Sequence, residues 1–487
     1  MEVEHRDLQP FEPTLRRLLA IAFDPPQVTP KSAGLIAQFA PSDGDRRAEA
    51  ETLSAYGRLQ EAAAAEVIRL EEESRALNVQ MKAARRAKDR IARDLERKIE
   101  ILRRRQLIVR RMMDAIVYFV YGQYVVLIRR LALHDDVRPI DPGSLVHIVD
   151  IAQRLNLQEP RSLYLAADLT TSVQIGDLVH ITIEPNSQWS LQILEVKEGK
   201  INQILADKLG GGRSPAEVRK EMGNSAAQQA ARILRQQRRL HGFSDFVYAG
   251  RGLDPRTNQV IRRTPDKMPV PGYQPELRAL IEKAERDGQA IMKVNECLVL
   301  GAVRADALPE PRLSMAAHYF FHYNRPEAAC LLSTPRAQEE LNLLRNEPIV
   351  DLVENSYRAT WGFPVVAWGN LDHVCNLLTG RTRVYAMLDF DAFMKRAERL
   401  GLTMKWVTGR RAEMLKRTGG TDWIPGGPRA SAIRVEMKGT KPFELLSGFI
   451  ARIFLELAKP DTLLKGLVDM GPDLQKVQNE VILGEAP

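Results

Sequence analysis

The sequence predicts an α/β protein in which a long N-terminal helical arm precedes a sheet domain and a further α/β region follows. Three observations predict this class. Between about Asp45 and about Leu131 there is no proline, glycine is rare, and Ala, Glu, Arg, Leu and Lys dominate, the composition of long helix. Residues 163–200, LYLAADLTTSVQIGDLVHITIEPNSQWSLQILEVKEGK, hold apolar, β-branched runs bounded by Gly, Pro and Asn, the pattern of strands. Beyond residue 305 helix and strand patterns alternate, as in GNLDHVCNLLTGRTRVYAMLDFDAFMKRAERLG.

Length and charge bound the answer. A chain of 487 residues is long enough for two or three domains, and 44% hydrophobic with 27% charged residues excludes wholesale disorder. The net charge of +8 suits a polyanionic partner, nucleic acid or an acidic membrane surface. Cys297, Cys330 and Cys375 are scattered in apolar surroundings without metal-ligand spacing, which reads as buried free thiols in a reducing cytoplasm. The N-terminal MEVEHRDLQPFEP has no signal-peptide core, so a cytoplasmic location is expected.

The elements follow in order. Residues 1–43 contain one short amphipathic helix candidate, LRRLLAIAF at 15–23, ended by DPPQVTP. Residues 44–111 form the arm, one long helix or two joined end to end. Its apolar positions, among them Leu53, Leu59, Val67, Leu70, Leu95, Ile99 and Leu102, recur mostly at spacings of three and four, which supports a coiled coil and a homo-oligomer formed through it. The basic run at 82–111 either lies along a phosphate backbone or is a solvated face with Glu-Arg and Asp-Arg pairs. MMDAIVYFVYGQYVVLIRRL, 112–131, is apolar nearly all round. Interrupted by Asp114 and Gln123, it fits a buried helix better than a membrane span. A helix candidate at 144–155 then leads into the strands. After Lys200, PAEVRKEMGNSAAQQAARILRQQRRLHGF predicts a helix, or two broken near Gly223, and AIMKVNECLVLGAVRA, 290–305, a buried strand.

The charged residues at the strand ends carry the chemistry. Glu195 and Lys197 stand at i and i+2 and emerge on one face where their strand finishes. An Asp on the neighbouring strand completes a pocket suited to Mg²⁺, which prefers hard oxygen ligands. An Asp, a spacer and then Glu-x-Lys on the next strand resembles the PD-(D/E)xK, or restriction-endonuclease-like, nuclease superfamily. The resemblance covers roughly residues 110–305. It implies a mixed sheet flanked by helices, Asp177 and Glu195 as ligands of Mg²⁺ or Mn²⁺, and Lys197 orienting or activating the attacking water. It also implies an acidic group from the opening helix, for which Asp114 is the match; the other reading of Asp114 is an ion pair with Arg110 or Arg111. On the helix after the motif, Gln228, Gln229, Arg232 and Gln236 resemble the residues that such nucleases turn toward the scissile phosphate. Asp168 is a weaker candidate, with turn capping as its alternative.

Register sets a condition on this site. If PNSQ were a simple four-residue turn, Asp177 would face Val196 and point away from Glu195, so a bulge or an odd loop length is expected between 177 and 195.

The expected function is therefore a metal-dependent nuclease with DNA favoured over RNA, in domains 1–43, 44–111, 112–305 and 306–487. Analogy of fold suggests antiphage defence, with a partner supplying any ATPase or sensing step, because the chain has no GK[ST] phosphate loop. The alternatives are a non-catalytic nucleic-acid-binding coiled-coil scaffold, and a membrane-associated protein using 112–128. Lesser candidates are His318 with His322 at i, i+4, Asp389 with Asp391 on one strand face, and a second Glu-x-Lys at Glu436 and Lys438.

Overall fold

The computed structural model describes residues 5–23, 46–120, 128, 131, 139–159, 161–183, 189–196, 204–205, 207–209, 211–248, 251–253, 260–262, 272–305, 350–358, 365, 368–407, 409–417 and 432–471. They belong to two compact units, 1–267 and 268–487.

In the first unit, α1 (Glu12–Phe23) buries Leu15, Leu18 and Leu19 at helical spacing. The proline-free run forms α2 (Arg46–Arg86) and α3 (Ile91–Val120). These are not joined end to end: they fold back as an antiparallel hairpin, which corrects the expectation of a straight arm. The turn has a local cause. Lys88 adopts a left-handed φ of 56° and its N–H returns to the Arg85 carbonyl, while the Asp89 carboxylate accepts from the Ile91 N–H and caps α3. Gln106 Nε2 donates to the Val67 carbonyl and the Glu71 carboxylate, and Arg85 pairs with Glu96, which fixes the antiparallel sense. Leu59, Val67 and Leu70 of α2 and Leu95, Ile99 and Leu102 of α3 are buried. The apolar stripe expected to join copies of the chain is thus filled in large part within one chain.

The sheet follows from α4 (Pro142–Gln158), where Asp141 caps the Ser144 N–H and Pro142 fits the first turn. β1 (Ser162–Ala166), β2 (Leu178–Ile183) and β3 (Trp189–Leu194) make an antiparallel meander in that order. Leu163, Leu165, Val179 and Ile181 are buried on one face. The free edge of β1 is closed by amides. Gln60 of α2 accepts from the Ala166 N–H and donates to the Tyr164 carbonyl, and Asn156 of α4 accepts from the Tyr164 N–H. Those groups would otherwise template another strand. α5 (Pro215–Tyr248) is kinked at Gly223 (φ 86°), where the sequence predicts a break. β4 (Arg251–Leu253) and β5 (Val260–Arg262) form a small hairpin after it.

The second unit holds α6 (Gln274–Asp287), β6 (Gln289–Val294), β7 (Leu298–Arg304), β8 (Val350–Asp351), α7 (Leu352–Arg358), α8 (Leu371–Leu378), β9 (Thr382–Leu388) and α9 (Phe390–Arg399). Its sheet runs β6-β7-β9-β8. A second sheet joins β10 (Leu402–Val407), β11 (Ala432–Met437) and β12 (Phe443–Leu446), with α10 (Gly409–Arg417), α11 (Ser447–Leu455) and α12 (Pro460–Asp469). The buried thiols of Cys297 and Cys375 lie in this unit, burial pushing Cys297 up to about 12.

Two expectations are corrected in this region. The stretch 290–305 is a hairpin rather than one strand, because Asn295 and Glu296 both take left-handed φ values (47° and 62°) and turn the chain. That hairpin pairs with β9 in the second unit, so 112–305 is not one domain and the division falls at 267/268. Every strand pair among the described residues is antiparallel, so the expected mixed sheet is not found there. Among the described residues no helix is long and apolar enough to cross a membrane.

Candidate active site

The β2–β3 connection decides the register. Ile183 pairs with Trp189, leaving residues 184–188 between them, an odd number. The pairing of Asp177 with Val196 that would have separated the carboxylates therefore does not form. Leu178 pairs with Leu194, and the Asp177 N–H also reaches the Leu194 carbonyl at 2.9 Å, so two successive residues of one strand face one of the other. Asp177 Oδ2 accepts from the Val196 N–H at 2.8 Å. Asp177 is thus tied at the open end of the β2–β3 ladder to the backbone on both sides of Glu195. Asp177 and Glu195 are both half-buried.

Gly176 makes this approach possible. Its φ is +76°, and a Cβ there would lie 2.3 Å from Ile193 Cγ2 and 2.9 Å from the Leu194 carbonyl oxygen. Only glycine combines that backbone with that closeness. Gly176→Ala is expected to cost about 2–4 kcal/mol, from left-handed strain plus overpacking. Chemical denaturation checks this, and unchanged stability would show that Gly176 does not set the site.

Asp114 is placed differently from the expectation. It is fully buried, and its carboxylate is enclosed by protein donors: Oδ1 accepts from the N–H of Thr171 and of Ser172 (both 2.9 Å) and from Ser172 Oγ (2.7 Å). Oδ2 accepts from Thr171 Oγ1 (2.6 Å) and pairs with the buried Arg111 (2.7 Å). A carboxylate so occupied has no face left for an ion, which corrects its assignment as a ligand. The reading that pairs it with Arg111 is the one observed. The neighbouring Arg110 donates to the Thr170 carbonyl. Asp114 and Arg110 thereby hold residues 170–172, which lead through Gly176 into Asp177.

Asp168 lies half-buried on a short helical turn, 167–169, before that loop. Lys197 lies outside the described residues. On α5, Gln228 is exposed and Gln229 half-buried, while the side chains of Arg232 and Gln236 lie outside what is described. The buried Ala230 and Ile233 of α5 pack with Leu205 and Leu209. Gln228 therefore stands on a helix face turned to solvent, away from that packed side.

The lesser candidates separate. Asp389 caps α9 by accepting from the Ala392 N–H and Asp391 is exposed in its first turn, so the two do not share a strand face. Glu436 pairs with Lys405 and Arg434 on the surface of β10 and β11, and Lys438 lies in the turn that follows. His318, His322 and Cys330 lie outside the described residues.

Sequence reasoning missed one polar row across the sheet. Tyr164 stacks on His180 at 4.2 Å and donates to Glu159 at 2.8 Å. Burial, reinforced by Glu159, pushes Tyr164 up to about 12, and burial lowers His180. The alternation of YLA and HIT was the available signal.

The donor set fits Mg²⁺. Among the described residues no three His, Cys, Asp or Glu side chains converge, but Mg²⁺ is commonly held by one or two carboxylates and keeps several waters. Asp177 and Glu195 would supply two hard oxygen donors. No family model, curated protein or solved structure matches the chain.

Proposed function

We propose that the chain is a metal-dependent nuclease that hydrolyses phosphodiester bonds, with DNA favoured over RNA, at a restriction-endonuclease-like site formed by Asp177, Glu195 and Lys197. The observation that carries this reading is the register: Asp177 hydrogen-bonds the backbone of Leu194 and Val196 and so flanks Glu195. A surface hairpin with a chance Glu-x-Lys has no need of an Asp tied to the backbone on both sides of the Glu. The order α4-β1-β2-β3-α5 also agrees with the resemblance.

Asp177 and Glu195 would hold Mg²⁺ or Mn²⁺. Such an ion would supply Lewis acidity toward the phosphodiester and the attacking water. Lys197, two residues beyond Glu195, would orient the attacking water and offset charge developing at the phosphate. Asp114 acts through the 170–172 loop as a positioning residue.

Lys197→Ala separates this reading from a binding scaffold. Cleavage of plasmid DNA in Mg²⁺ is expected to fall on the order of a hundred-fold or more, with nucleic-acid affinity retained. Cleavage at the parent rate would exclude the assignment.

A further inference from the structure

The basic run at 82–111 divides into two halves with different uses. In its second half the arginines are engaged within the unit: Arg97 with Asp7, Arg105 with the Asp7 carbonyl and the Phe11 ring, Arg110 with Thr170, and Arg111 with Asp114. The first half is different. Lys82, Arg86, Lys88, Arg90 and Arg93 are exposed, and none pairs with a carboxylate among the described residues.

The hairpin sets these cations apart from the body. The last described hydrogen bonds from it to the rest of the unit are Arg75 to the Ile140 carbonyl and Arg97 to Asp7. Beyond Arg75 the α2 helix runs on to Arg86, roughly 16 Å at the helical rise. The nearby acids are partly used: Asp89 caps α3 and Glu96 pairs with Arg85.

We propose that this end of the α2–α3 hairpin docks on the phosphate backbone of nucleic acid. Two antiparallel helices present their free cations at one tip, about 8–10 Å apart across the hairpin. Duplex DNA presents one charge per about 1.7 Å of axis, so a compact cluster meets several phosphates. A membrane is the less suitable occupant. Interfacial helices insert Trp, Phe or Leu, whereas the large exposed apolar residues at this tip are Val79 and Ile91. The inference deepens the nuclease reading by naming where substrate is held, and it rests on that reading only for the kind of polymer.

The test uses the full chain carrying Glu195→Gln, in EDTA, with a labelled DNA duplex of about 30 base pairs as probe. Adding Arg86→Glu, Arg90→Glu and Arg93→Glu is expected to weaken binding by about ten-fold or more in 0.1 M salt. The slope of log affinity against log salt should become shallower by about 0.9 for each phosphate no longer neutralised. If that variant folds poorly, Lys82→Gln with Lys88→Gln should still weaken binding several-fold. Unchanged duplex affinity in a folded variant overturns the proposal. So does loss of binding to phosphatidylserine vesicles while duplex binding is retained. Because these measurements need no catalysis, failure of the parent to cleave would remove the nuclease reading without touching this one.

Discussion

Replacing Glu195 by Gln is expected to lower Mg²⁺-dependent cleavage about a thousand-fold while leaving the fold and nucleic-acid binding in place. The substitution removes one of the two proposed anionic donors but keeps the shape of the side chain. A bound metal supplies several kcal/mol of transition-state stabilisation, and each ~1.4 kcal/mol is worth a factor of ten in rate. Asp177→Asn should behave alike in rate but also weaken its acceptance of the Val196 N–H, so it should soften the β2–β3 end as well. Steady-state cleavage alongside thermal melting checks both. A Glu195→Gln protein with the parent's rate would remove Glu195 from the chemistry.

The largest stability effect is expected at Asp114. Asp114→Ala leaves Arg111 buried without its carboxylate and strips acceptors from Thr171 and Ser172. Removing one partner of a buried pair costs about 3–5 kcal/mol. Domains are stable by only about 5–15 kcal/mol, so the first unit should unfold at markedly lower denaturant. Asp114→Asn distinguishes a positioning role from a ligand role. Its amide must turn a donor toward Arg111 or Thr171, so stability falls, but Mg²⁺ affinity of the folded fraction should stay near the parent's. A large loss of Mg²⁺ affinity in protein that remains folded would restore Asp114 as a ligand.

The meander was legible in the sequence because its signals are local. Gly, Pro and Asn bound the β-branched runs, and the strands fall at 162–166, 178–183 and 189–194, against the expected 163–200. The need for an odd connection was legible too, since side chains alternate with a period of two. What escaped was non-local. Whether Asp114 faces an ion or a loop depends on where residues 170–172 pack, and they lie far from it in sequence. The hairpin of α2 and α3 escaped because Lys88 carries the turn without glycine or proline, leaving Asp89 as a cap as the only cue. The 290–305 stretch failed similarly: its apolar run conceals a left-handed turn at Asn295, and its partner β9 lies beyond residue 380. Gln60 illustrates the same limit, an unremarked polar residue on the arm that closes the edge of β1.

Whether Asp177 and Glu195 form a metal-dependent phosphodiesterase site is tested most directly by incubating the full chain and its Glu195→Gln form with plasmid DNA, single-stranded DNA and RNA. Each substrate is offered in Mg²⁺ and in EDTA. The parent is expected to cleave at least one of them in Mg²⁺ and none in EDTA, and the variant almost none in either. Cleavage that survives EDTA, or that the variant performs as well as the parent, would contradict such a site.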